Sequence, residues 1–295
     1  MGRGLIIFFS ALLALGLMRV GLGLVSVPLG AVPVANVFLT ALFIGVPIFA
    51  LFAASCSPWT PRSALLFTLA GLLLHFGLFA IVRSGAMGTG WGAAIGGSVA
   101  QIGLVTWCTG LGALLATMLK DRNLLIPVSI FLVAFDVFLV LTPIGPTQQI
   151  LKKAPEILPA IGLSIPKVVS APTHGPVGTL AYVGPADLLF MGMFFVAMFR
   201  FGMRTKQTMI ALIPMILGYL ALTYFAGAVP LLVPIGITVL AVNFREFKLS
   251  KEEWLSTGLI TLIALGLIAY GSTRPAPTVE SSPRASVPSQ QEPAN

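Results

Sequence analysis

The sequence predicts an all-α fold, a polytopic transmembrane bundle of about nine helices. Three features predict it. Charged residues make up 9% of the 295-residue chain and hydrophobic residues 57%, with a mean hydropathy of +1.00. A soluble domain carries about 25% charged residues, so this chain has too few to cover a water-exposed surface. Several apolar runs approach or exceed ~18 residues, the length that crosses a bilayer as a helix. The runs are unbroken rather than alternating. That suits helices, which pair their backbone groups internally, and not the short alternating strands of a barrel.

The helices are expected at 4–26, 33–55, 63–83, 91–119, 124–142, 179–200, 207–227, 229–243 and 254–271. The first begins like a signal peptide, with Arg3 ahead of an apolar core. No A-x-A site follows and the apolar sequence continues, so it reads as a membrane helix. SPWTPR separates the second and third helices. The eighth is short and Pro-rich. Gly88, Gly92 and Gly96 recur at four-residue spacing entering the fourth helix, a pattern for close helix packing. No internal repeat is visible.

The chain divides into N-terminal helices (1–123), a second membrane region (124–271) and a Pro- and Ser-rich tail (272–295) read as disordered. The second region holds a long loop, 143–178. In it, TQQILKKAPEILPAIGL forms an amphipathic pattern, with Ile150, Ala154, Ile157, Leu158 and Ile161 on one side of a short helix. IPKVVSAPTHGPVG reads as extended or irregular, because each proline biases its predecessor away from helix. The part IPKVVSAP is a candidate for pairing with an unwound peptide by strand addition.

The formal net charge of +8 does not point to nucleic acid in a chain of this class. Lys and Arg lie mainly between helices, where they set orientation and meet anionic membrane lipid. Arg3, Arg62, Lys120, Arg122, Arg200, Arg204, Lys206, Arg245, Lys248 and Lys251 fall on one side. Arg83, Lys152, Lys153, Lys167, Arg274 and Arg284 fall on the other, and Arg19 fits either. The first set favours a cytoplasmic N-terminus and an external long loop. Cys56 and Cys108 read as buried thiols. No Cys/His spacing points to a metal. His75, inside the third helix, is either a functional group or a histidine bonded between helices.

Two acidic residues, Asp136 and Asp187, lie within apolar helices. Each costs roughly 2.5–3.5 kcal/mol at mid-membrane. At 1.5 Å per residue, Asp136 is expected about 18 Å from the start of its helix and Asp187 about 12 Å from the start of the next. Entering from opposite faces, the two carboxylates then reach a similar depth. Two carboxylates at close range cannot both ionise freely and can share one proton. That electrostatics serves an aspartic protease. It equally serves a proton- or cation-coupled transporter.

The residues around them resemble a family. Phe135-Asp136 resembles the Tyr-Asp of presenilins and signal peptide peptidases. Gly184-Pro185-Ala186-Asp187 resembles their Gly-x-Gly-Asp, and Pro230-Leu231-Leu232 looks like their Pro-Ala-Leu. The order of the three, the long loop between the two Asp helices and the single helix before Pro-Leu-Leu also match, over residues 124–243. The resemblance implies that Asp136 and Asp187 are a catalytic pair in region 124–271, needing no cofactor or metal. It implies that Phe135, Gly184, Pro185, Ala186, Pro230, Leu231 and Leu232 shape the site and its substrate groove. The implied substrates are single-pass transmembrane proteins or signal peptides. Four departures stand out: Phe135 lacks the tyrosine hydroxyl, Ala186 replaces the second glycine, Leu231 replaces alanine, and an extra helix, 254–271, follows the third motif. Type 4 prepilin peptidases share a Gly-x-Gly-Asp but usually carry a Lys soon after it, where this chain has LLFMGMFF.

Overall fold

The computed structural model describes residues 2–170, 173, 175–220 and 229–274. Helices dominate: α1 (Arg3–Gly21), α2 (Val32–Ser55), α3 (Pro61–Arg83), α4 (Trp91–Met118), α5 (Leu125–Leu141), α6 (Pro146–Lys153), α7 (Leu158–Ile161), α8 (Pro185–Arg200), α9 (Thr205–Leu220), α10 (Leu232–Asn243) and α11 (Lys251–Thr273). One antiparallel hairpin, β1 (Leu163–Pro166) and β2 (Thr179–Val183), interrupts them. Six helical segments among the described residues are long and apolar enough to cross a membrane: 3–24, 29–55, 61–83, 91–118, 122–151 and 251–273.

Local chemistry sets the helix starts. Thr60 and Ser63 form a capping box at α3, with Pro61 at the first position, where its missing N–H costs nothing. Ser250 and Glu253 do the same for α11. Lipid-facing and core-facing residues then separate. Leu66, Leu69 and Leu73 on α3, and Leu255, Leu259 and Leu262 on α11, are exposed apolar side chains. On α8, every residue from Met191 to Met198 is buried. A helix that is apolar all round belongs at the centre of a bundle, and α8 packs there against α4 and α2. On the other side α5 packs against α10 and α11, and α10 against α9.

The helix-packing glycines differ from those expected. Gly88 is a turn residue with φ +71°, and Gly92 and Gly96 pack against Met87 and Val82 beside that turn. The close α3–α4 approach uses Gly71, Gly103 and Gly110 instead. A Cβ on Gly103 would sit 2.6 Å from the backbone nitrogen of His75. His75 is fully buried, and its Nδ1 and Nε2 lie 2.8 Å from the Ala100 carbonyl and 2.9 Å from the Ala160 carbonyl. It therefore sits wedged between α4 and α7, with a ring nitrogen at a carbonyl of each. Cys108 is buried as expected, but Cys56 is exposed, because α2 has ended there.

Three expected elements change. The span 179–200 begins as strand and becomes helix only at Pro185. Residues 179–183 pair with β1, and the residue before a proline is disfavoured in helix. The loop helix splits into α6 and α7, because Pro155 removes a donor and Ala154 leaves the helical region (φ −146°). The region expected to be irregular starts as β1. The last residues of the predicted helix 207–227, together with His174 and the tail from 275, lie outside the described residues.

Polar side chains tie the two ends of the bundle. At the basic end, Arg200 Nη1 donates to the carbonyls of Ala116, Thr117 and Leu119 at the exit of α4. Asn243 accepts from the Arg204 N–H and donates to Thr208. At the loop end, Arg19 donates to the Ser164 hydroxyl and carbonyl, Gln101 accepts from the Ser164 N–H, and Asn36 accepts from the Val168 N–H. Arg19 thus belongs with the long loop. Three helices (α1, α2 and α4) hold the hairpin in place.

Gly103→Leu is expected to lower stability by about 1–3 kcal/mol through overpacking against backbone. Gly77→Leu on the neighbouring helix α3, where an added Cβ meets nothing within 4 Å, should leave it unchanged. Thermal unfolding of both variants in detergent checks the pair.

Candidate active site

Asp136 lies five residues before the end of α5, about 7.5 Å from it at 1.5 Å per residue. It is 8% exposed. Its Oδ2 accepts the Leu232 N–H at 2.8 Å. Leu232 opens α10, and the first N–H groups of a helix have no partner within it. The carboxylate therefore satisfies a helix start inside the bundle, at the positive end of the helix dipole.

Asp187 is the third residue of α8, within its first turn. Its depth therefore differs from that expected for a helix starting at 179. Both acids lie toward the loop end of their helices rather than midway. Asp187 Oδ2 turns back to accept the Gly184 N–H at 3.1 Å. Gly184 makes room for this: a Cβ there would sit 3.0 Å from that oxygen. Asp187 and Asp136 lie within electrostatic reach of each other. Among the described residues, the Oδ1 atom of each accepts no hydrogen bond.

A cleft opens beside Asp187. Its walls include Pro47 of α2, Leu163 of β1, Met191 of α8, Ile216 of α9, and Leu231 and Ile235 around the start of α10. It leaves about 20 Å³ to the centre of a water molecule, which is room for one. Pro47 lies inside α2 and removes a helical hydrogen bond to Phe43, another wall residue.

The motif residues separate into two groups. Leu232 bonds Asp136, Leu231 shares the cleft with Asp187, Gly184 bonds Asp187, and the Pro185 carbonyl accepts from Cys108 Sγ at 3.4 Å. Pro230 is buried just before α10. Phe135 and Ala186 play no such part. Phe135 stacks between Phe131 and Phe138, with ring centroids 5.7 and 6.5 Å away, in a ladder along α5. Ala186 is exposed.

Tyr219 is a residue that the sequence reading passes over. It lies three residues after Ile216, on the cleft-facing side of α9, and interacts electrostatically with Asp136. A phenol on α9 thus lies in electrostatic range of Asp136, while the residue preceding Asp136 has none. The signal available in the sequence was weak: one tyrosine in MILGYL, on the helix before Pro-Leu-Leu.

Comparison with protein-family models, with curated proteins and with solved structures finds no match to this chain.

The Leu232 contact makes a prediction independent of any activity. Asp136→Ala leaves a buried N–H unpaired and should lower stability by about 1–3 kcal/mol. Asp136→Asn keeps an acceptor oxygen and should lower it by less. Denaturation of the two variants in one detergent reads the difference.

Proposed function

We propose that the chain is an intramembrane aspartyl endopeptidase that hydrolyses peptide bonds within transmembrane segments. One observation carries the reading. The Leu232 N–H bonds Asp136, while its neighbour Leu231 walls the cleft that holds Asp187. Three short motifs, far apart in sequence and resembling those of presenilins and signal peptide peptidases, thus meet around two carboxylates.

In the proposed reaction a water sits between the free oxygens of Asp136 and Asp187. The ionised carboxylate takes a proton from it as the oxygen attacks the scissile carbonyl. The neutral carboxyl gives its proton to the carbonyl oxygen, and a gem-diol forms. Proton transfer to the amide nitrogen then lets the C–N bond break. Backbone N–H groups from Leu232 and Gly184 hold one oxygen of each acid and leave the other for chemistry. No covalent enzyme intermediate, metal or cofactor takes part.

The strand-addition role passes from IPKVVSAP to β2. β1 is buried, and side chains already hold the backbone there: Gln101 takes the Ser164 N–H, Arg19 the Ser164 carbonyl and Asn36 the Val168 N–H. β2 is exposed over Thr179–Ala181 and leads directly into Gly184. An unwound substrate pairing there would lie beside Asp187, and main-chain pairing tolerates many sequences.

In this reading α8, α9 and α10 join the six long segments as a nine-helix bundle. The N-terminus faces the cytoplasm and the hairpin lies outside, following the basic residues at the opposite end. Single-pass membrane proteins and signal peptides are the substrates.

Asp136→Asn and Asp187→Asn should each lower cleavage of a single-pass substrate at least about 10²-fold in liposomes, with the fold retained by circular dichroism. Either variant cleaving at the wild-type rate would remove the proposal. pH-driven proton or cation flux in the same vesicles, without peptide products, would assign the acids to transport instead.

A further inference from the structure

At the loop end a second cleft opens beside Arg19, leaving about 170 Å³ to the centres of water molecules. Its apolar walls include Phe79 and Val82 of α3 and Ala94 and Gly97 of α4, and its polar end holds Arg19, Gln101 and Ser164. We propose that this cleft binds an anionic phospholipid, with the phosphate on Arg19 and an acyl chain along the α3–α4 wall.

Charge is the first argument. Arg19 lies within the apolar bundle, and the Arg204–Glu246 contact is the one ion pair among the described residues. Ser164 takes two of the guanidinium's N–H groups, and the Phe43 ring lies 5.4 Å from its centre. A guanidinium has five N–H donors in a fixed fork, so donors remain for an anion. Phosphate oxygens match that fork in pairs. Arg19 is half-buried, and a cation drawn partly out of water without an anion is costly; a bound phosphate would offset that cost.

Position is the second. Arg19 is in the last turn of α1, and α3 ends beside it at Arg83, so the cleft lies at headgroup level. Ala93, in the first turn of α4, also lines it. That helix start has no side-chain cap, and its free N–H groups add positive potential. Shape is the third. A Cβ on Gly97 would meet nothing within 4 Å, so the wall is open where a chain would lie.

The test is native mass spectrometry of the delipidated full chain, titrated with dioleoylphosphatidylglycerol, dioleoylphosphatidylcholine or inorganic phosphate. One phosphatidylglycerol should be retained at least tenfold more strongly than phosphatidylcholine. Arg19→Gln should reduce its retention at least fivefold, and Arg19→Lys less. Because Arg19 also ties the hairpin, Gly97→Phe is the second variant. It fills the cleft while keeping Arg19 and Ser164, the residues of that tie, and should reduce retention to the same extent. Equal retention of both lipids by the wild type, or unchanged retention in Gly97→Phe, would overturn the proposal. Inorganic phosphate displacing the lipid at equal concentration would overturn it too, since the acyl chain would then contribute nothing.

Discussion

A helix that begins inside an apolar bundle needs acceptors for its first N–H groups, and no water is at hand to supply them. Asp136 meets that need for α10 by accepting from Leu232, and Asp187 meets a similar need at Gly184. Each of the two acids is therefore paired with backbone at the place where a chain segment changes form. This explains how two costly carboxylates are tolerated. Both broken segments, β2–α8 and the start of α10, converge on the cleft beside the central helix.

That arrangement depends on scaffolding elsewhere. α8 is fully buried along its middle and receives α4 and α2. α10 stands between it and α5, so the two acid-bearing helices approach through a third rather than by packing broadly on each other. At the loop end, Arg19, Gln101 and Asn36 grip β1 and the residues just after it. The hairpin in turn fixes where α8 starts. A polar tie in the N-terminal helices thus positions a carboxylate in the second half of the chain.

Much of this was legible in the residues. Long apolar runs and few charges marked the spanning helices, and the capped or Pro-started ends of α3 and α11 fell near where the residues placed them. The isolation of Asp136 and Asp187 among apolar neighbours marked them as a pair worth attention. Less legible were the hairpin and the true start of α8. Leu163–Pro166 and Thr179–Val183 have no meaning as strands until each finds the other, thirteen residues away across a loop. Gly-x-x-x-Gly spacing likewise pointed to Gly88, Gly92 and Gly96, whereas the α3–α4 contact uses Gly71, Gly103 and Gly110. Spacing along one helix does not say which face the partner takes.

By itself, the sequence determined the class of fold, because apolar length and scarce charge allow no water-exposed alternative. It also singled out the two acids that stand among apolar residues. Only the tertiary structure decided what Asp136 meets: the Leu232 N–H, with Tyr219 of α9 in electrostatic range. It alone set Arg19 at the hairpin end beside an open cleft. Hydrogen bonds between residues nearly a hundred positions apart follow from how helices pack, and no local pattern encodes that.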